Sequence, residues 1–395
     1  MTQAGAAADV IEDGGRGPRS LRSGSRDGRC IEVAIVGGGV AGLSAAALLA
    51  PHARVILLER EALLSSHASG SNAAIHRPLE HDAASARLAQ RSRELLAELV
   101  GDGVLERTGL CLVSQSPEPV DALVRSAHEA EVRYERLERA ALERAVPWLC
   151  RGQVEHGILL LDGGVLDLHR LTSGLAARAR AHGAVLRTAA EVAEVEYASG
   201  TRRVCGVRLR DGERIRAQHV VIAAGAWSAS LGGVIGMPLP LTPVRRHLVQ
   251  LRAALPVRGP QPVLWRLEDE VYFRPESGGI LSSPCDERAW PAEIPQTDPS
   301  ALLLLAQKLE RTAPALASAA VQRAWACLRT FAPDRELAIG SDPRAEGLHW
   351  LCGLGGRGMS VAPAAAEILA RQLLSPEVQV SRAPWSIARL LPPRA

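Results

Sequence analysis

The stretch Ile31–Glu59, IEVAIVGGGVAGLSAAALLAPHARVILLE, constrains this chain more than any other. Val33–Val36 is a short run of apolar residues on consecutive positions, as a parallel strand buried on both faces requires. Gly37, Gly39 and Gly42 follow at the G-x-G-x-x-G spacing. The first permits a tight turn, the second lets a pyrophosphate approach the backbone, and the third lets helix and strand pack closely. Val40–Ala50 reads as a helix whose N-terminal amides and positive dipole end suit a diphosphate, and Pro51 and His52 stop it. Val55–Leu58 returns as a second strand. Glu59 closes it about 20 residues after the glycines, where an acid accepts hydrogen bonds from ribose hydroxyls. Strand, glycines, helix, strand and acid in this order predict a dinucleotide-binding unit.

At 395 residues the chain is long enough for two domains, each with its own core. Acidic and basic residues are interleaved around a net charge of +3, which predicts no nucleic-acid face. Seven cysteines are scattered without a C-x-x-C pair, the pattern of a reduced, cytoplasmic chain. No apolar run approaches the roughly 20 residues of a membrane span, so no integral membrane segment is expected.

Residues 1–30 read as a disordered leader. SSHASGSNAAIHRP, within 61–81, is a small-residue loop that would let backbone approach a flat ring system. Arg87–Val100 carries one apolar helical face, Leu110–Ser114 reads as a strand, and Val120–Ala145 as a charged, helix-rich stretch. Gly157–Leu161 is a predicted strand, and Asp167 caps a helix over Leu168–His182 closed by Gly183. Strands are predicted at Val192–Tyr197, Val204–Leu209, Ile215–Ala217 and Val220–Ala223, the last running into AAGAWS. From Pro238 to Trp290 prolines are frequent and strands short (Leu248–Leu251, Val263–Leu264, Val271–Phe273, Ile280–Ser282), an antiparallel, half-exposed texture. A leucine-rich helix follows at Pro299–Thr312. Trp350–Cys352, the loop GLGGRGMS and the helix Pro363–Leu374 then restore the α/β texture, before a tail expected to wrap the surface. The fold class is therefore α/β: a Rossmann-like domain from 31–107, 157–237 and 331–374, and a mostly antiparallel substrate domain from 108–156 and 238–330.

The second glycine loop, Gly353–Gly358, lies between a strand and a helix, as the first does, with Met359 to Ala362 as the helix entry. Parallel strands deliver such loops to one sheet edge, so both can face a single extended cofactor. Arg329 in CLRTFAPDRELAIG can meet a carboxylate with two parallel hydrogen bonds, and Tyr272 in EVYFRP can donate a hydroxyl to it. Of Arg245 and Arg246, strand alternation allows only one to point inward. His76 fits a structural role better than that of a base. No G-x-S-x-G, H-E-x-x-H or G-x-x-x-x-G-K-[ST] is present, so serine-hydrolase, metal and nucleotide-hydrolysis readings gain no support.

At VAIVGGGVAGLSAAALLA, HASGSNAAIH, VVIAAGAWS, VYFRP, LRTFAPDRELAIG and GLGGRGMSVAPAAAEILA the chain resembles the D-amino acid oxidase superfamily of flavoproteins. The resemblance runs from about Ile31 to Leu374 and is strongest to the D-arginine dehydrogenase and glycine oxidase branches. It implies the glutathione-reductase-like two-domain fold and bound FAD. Gly37, Gly39, Val40, Ala41 and Gly42 would take the pyrophosphate, Glu59 with Arg60 the ribose, and Val192 the adenine. Ser71, Asn72, Ala73 and Ala74, with Ala224, Gly225 and Trp227, would flank the flavin. Gly355, Gly356, Arg357, Gly358, Met359 and Ser360 would meet its pyrimidine end. Arg329 and Tyr272 match the family's carboxylate clamp. The implied reaction is oxidation of an amino acid C–N bond, with oxygen or a quinone-like molecule as electron acceptor. The alternative is a secondary-amine dehydrogenase, or the flavin subunit of a heteromeric amine or opine dehydrogenase. Three departures stand out. Gly109 occupies the place of the acid that grips a cationic side chain in D-arginine dehydrogenase. Ile75 and Glu80 stand where that enzyme has loop aromatic and histidine residues. Cys327 precedes Arg329 by two residues, much as a flavin-linking cysteine does in monomeric sarcosine oxidase.

Overall fold

The computed structural model describes residues 31–79, 82–146, 154–252, 261–276, 278–375 and 383–392. The leader over 1–30 and Glu80 lie outside them. One sheet of eight strands is built around Ile31–Val36, which pairs in parallel with Val55–Leu58 on one side and with Arg214–Ile222 on the other. Alternation along this strand divides its side chains between two cores. Val33 and Ile35 join the cluster under the helices Val40–Leu49, Ala83–Val100, Leu168–Ala181 and Gly358–Leu374. Ala34 and Val36 join Ile56, Val220 and Trp350 on the opposite face. Asp167 caps its helix as expected, its carboxylate accepting from the Arg170 amide at 2.9 Å.

Arg214–Ile222 corrects the sequence reading of two short strands, because it is a single strand with two sets of neighbours. Its first half pairs antiparallel with Val204–Leu209, and its second half lies parallel to Ile31–Val36 and Leu348–Cys352. The polar Gln218 and His219 interrupt the apolar run where the neighbours change. Within 120–145, a strand at Tyr134–Glu138 separates the helices Pro117–Glu129 and Arg139–Ala145, so that stretch is less helical than its charge pattern implied.

A second sheet of nine strands is antiparallel except where Val263–Arg266 runs alongside Leu110–Ser114. Its strand Val321–Phe331, not foreseen in the sequence, pairs along the length of Thr242–Leu251. The helix after the second glycine loop begins at Gly358, so Met359 to Ala362 are its first turns and not an entry segment. The tail also departs from expectation. Trp385 and Ile387 are buried in the two cores of the first sheet, and the Ile339 amide donates to the Trp385 carbonyl at 3.0 Å.

Candidate active site

The C-terminal ends of the parallel strands and one face of the second sheet line a cavity of about 730 Å³. Twenty of the twenty-three residues singled out in the sequence line it; Gly42, Arg357 and Ser360 do not. Gly42 acts through packing, since a Cβ there would stand 2.0 Å from the Gly37 carbonyl oxygen. Gly37 has φ +113°, and a Cβ on it would meet the Ala223 carbonyl oxygen at 2.5 Å. The Arg357 guanidinium turns away to the Arg335 carbonyl at 2.7 Å and the Ser85 hydroxyl at 3.2 Å. Ser360 Oγ accepts from the Arg77 amide at 2.9 Å and so ties the second glycine loop to the first small-residue loop.

The end formed by the first glycine loop has the chemistry of a dinucleotide site. Gly39 is the N-cap of Val40–Leu49 and offers that helix no side-chain cap, leaving first-turn amides for ligand oxygens. The Val40 amide is taken, by Ser69 Oγ at 2.9 Å. Ser69 was not anticipated in the sequence: its contact depends on a loop folding back across 29 residues. Glu59 ends its strand as expected, but its carboxylate already accepts from the Gly38 amide at 2.6 Å and the Glu61 amide at 2.9 Å. It therefore holds the glycine turn in shape. Nearby, the Arg60 guanidinium lies 3.9 Å over the Trp227 ring, against which His67 also packs. The hydrogen bond from His67, with help from Arg60, holds the Glu61 carboxyl below its usual range despite partial burial. These groups, with the close-packed glycines and a cavity of about 730 Å³, fit a dinucleotide such as FAD.

The other end is walled by the second sheet. Arg329 is 9% exposed and Tyr272 3%. Among the described residues no carboxylate pairs with Arg329; its Nη1 instead meets Cys327 Sγ at 3.1 Å. Burial, and then the neighbouring Cys285, push the Tyr272 hydroxyl well above its ordinary pKa, so it stays protonated and can donate. Arg246 is the inward member of its pair, whereas Arg245 turns to Asp298 at 2.5 Å on the opposite face. Trp265 packs on Tyr272 with ring centroids 4.9 Å apart, and the Arg77 guanidinium lies 4.4 Å over Trp265. Neither Arg77 nor Trp265 carried a sequence signal of its own. Ile75 lines the cavity, but Gly109 does not. His76 faces the other way, is fully buried, and is held neutral by that burial, with its pKa lowered to about 4.

Three comparisons accord with this arrangement. A glycine oxidase from Pseudomonas putida is 29% identical over 367 residues, covering 90% of this chain and 98% of the relative. The crystal structure of glycine oxidase from Geobacillus kaustophilus superposes with a TM-score of 0.77 at 25% identity, over 92% of this chain and all of that one. Human mitochondrial dimethylglycine dehydrogenase is 30% identical over 275 residues, 65% of this chain. The chain spans only 31% of the length of that relative. The model of the FAD-dependent oxidoreductase (DAO) family matches residues 32–372. The chain belongs to that family of FAD-dependent oxidoreductases.

Proposed function

We propose that this protein oxidises the C–N bond of an amino acid or N-alkyl amino acid whose carboxylate is held by Arg329 and Tyr272. The observation that carries the reading is the buried Arg329 guanidinium, facing the cavity beside a protonated tyrosine and without a carboxylate of its own among the described residues. A buried cation of this kind is stabilised by an incoming anion, and a guanidinium grips a carboxylate with two parallel hydrogen bonds. Both groups stand on rigid strands, Val321–Phe331 and Val271–Glu276, so the carboxylate they hold has a fixed orientation. Bound FAD supplies the two-electron acceptor that takes a hydride from the substrate carbon bearing the nitrogen. The resulting imine hydrolyses in water to an oxo acid and ammonia or an amine.

Within this reading, the glycine turn Gly37–Gly42, braced by Glu59 and Ser69, holds the cofactor pyrophosphate. The loop Ser71–Ala74 and the first turn of Gly358–Leu374 flank its ring system. Asn72 keeps the loop in shape: Nδ2 donates to the Ala68 and Ser69 carbonyls at 2.8 and 2.9 Å, and Oδ1 accepts from the Ala74 amide at 2.7 Å. The first sheet and its helices form the FAD-binding domain and the second sheet the substrate domain. The similarity to dimethylglycine dehydrogenase favours including N-alkyl amino acids in the substrate class. Oxygen or a quinone-like molecule reoxidises the enzyme.

The test is an anaerobic absorption spectrum of the holoprotein during addition of D-amino acids, glycine, N-methyl amino acids and L-amino acids in turn. Bleaching by one class supports the reading, and the return of the band on admitting air identifies an oxidase. A flavin band that no class bleaches overturns it.

A further inference from the structure

His247 is fully buried on the strand Thr242–Leu251, two residues from Arg245 and on the same face as it. Its ring joins both ends of one loop. At the first end Nδ1 meets the Asp286 carboxylate at 2.7 Å, and the other oxygen of that carboxylate accepts from the His247 amide at 2.9 Å. At the second end the Asp298 amide donates to Nε2 at 2.9 Å. The carboxylate fixes the ring proton on Nδ1 and so leaves the Nε2 lone pair to accept. Burial opposes ionisation of Asp286, but the hydrogen bonds from His247 outweigh it and hold the carboxyl below its usual range. Arg245 reinforces the second end, donating to the Gln296 carbonyl at 3.3 Å and pairing with Asp298.

Between these anchors the chain leaves the sheet at Trp290. Its amide donates to the Pro243 carbonyl at 3.0 Å, and the Arg245 guanidinium lies 4.1 Å over its ring. Pro243 lies opposite Thr330, and the Thr330 carbonyl accepts from the Gly355 amide at 2.9 Å. Only two strands therefore separate the start of this loop from the second glycine loop. The tip, 291–295, has a proline at each end, which leaves its backbone little freedom. Ala292, Ile294 and Pro295 line the cavity, and Ile294 stands at its mouth with 68% of its surface exposed. All three are apolar. The tip thus offers the cavity no side chain that could bind the ionic groups of an amino acid, whereas a flat ring system suits it.

We propose that 290–298 is a clasp over the ring system of FAD, with Ile294 as its contact and His247 as the residue that positions it. The inference rests on the cofactor of the family and is independent of the carboxylate clamp proposed above.

The test measures flavin release from the holoprotein, by the rise in flavin fluorescence after dilution, and FAD affinity by titration into protein stripped of flavin. Ile294→Ala should release flavin about tenfold faster than the wild type, and Ile294→Leu should stay within about twofold of it. His247→Leu, which fills the same space without either hydrogen bond, should release flavin at least as fast as Ile294→Ala. Unchanged release and affinity in Ile294→Ala overturn the inference. A raised KM for the amino acid in that variant, with flavin release unchanged, places the tip against the substrate and also overturns it. Release from His247→Leu at the wild-type rate removes His247 from the clasp. Ile294 is exposed, so its two variants decide the matter even if His247→Leu fails to fold.

Discussion

Arg329 Nη1 and Cys327 Sγ meet at 3.1 Å on one face of the strand Val321–Phe331, two residues apart and both facing the cavity. The sulfur supports the arginine from within its own strand, which suits the proposed carboxylate clamp. We therefore expect the flavin to be held without a covalent bond: acid precipitation of the holoprotein should release yellow flavin into the supernatant. Flavin retained in the wild-type precipitate and lost from that of Cys327→Ala would show that the sulfur bonds the cofactor instead.

Arg329→Ala should lower kcat/KM by about two to three orders of magnitude, because charge-assisted hydrogen bonds to a carboxylate contribute ~1.5–3 kcal/mol each. Flavin content should be unchanged. Steady-state kinetics on the substrate that bleaches the flavin measures the effect. A loss below about threefold would remove Arg329 from the clamp.

Gly42→Ala should weaken cofactor binding without touching the cofactor. The added methyl would stand 2.0 Å from the Gly37 carbonyl oxygen, so the helix must move off the glycine turn. Overpacking of this kind costs ~1–3 kcal/mol. The expected result is a lowered thermal midpoint and a chain that purifies partly free of flavin, checked by calorimetry and by the absorbance ratio of flavin to protein. An unchanged midpoint with full flavin occupancy would contradict this packing.

His76 should make the fold acid-sensitive. Its pKa is lowered to about 4 by burial, chiefly, and by the nearby Arg93, whereas in the unfolded chain it titrates near 6.5. Between those values the unfolded chain takes up a proton that the native state refuses. Stability is therefore fully present above pH 6.5 and is lost as the pH falls toward 4, by roughly 3 kcal/mol in all. Thermal midpoints measured across this range should fall more gently for His76→Leu than for the wild type. Parallel curves would show that His76 is not the group responsible.

The two ends of the cavity were unequally legible in the sequence. The tight turn at Gly37 and the close packing at Gly42 were readable because they depend on spacing inside a single strand–helix–strand unit, whereas the contacts of Glu59 with the Gly38 and Glu61 amides were not. Asp167 and its helix were readable for the same reason. Arg329 and Tyr272 could be proposed from their residue types, but only resemblance to a family singled them out from other arginines and tyrosines. The strand Val321–Phe331 was missed because its inward face mixes arginine, cysteine and tryptophan, which is the composition of a binding wall and not of a core. The Gly109 position illustrates the converse. Resemblance to D-arginine dehydrogenase placed it beside a side-chain pocket, but its Cβ direction leads into Leu159 at 2.8 Å, and it does not line the cavity.

What the sequence alone determined was the dinucleotide unit and the α/β class, because these follow from local periodicity and from glycines whose spacing has few physical uses; the family came from resemblance over motifs spread along the chain. Only the tertiary structure decided which arginines share a site. Strand register turns Arg246 inward and Arg245 toward Asp298. The return of the small-residue loop brings Ser69 to the Val40 amide and Arg77 over Trp265. Each of these pairings joins residues far apart in the chain, and a one-residue change of register would reverse the inward and outward faces while leaving the local pattern of the sequence unaltered.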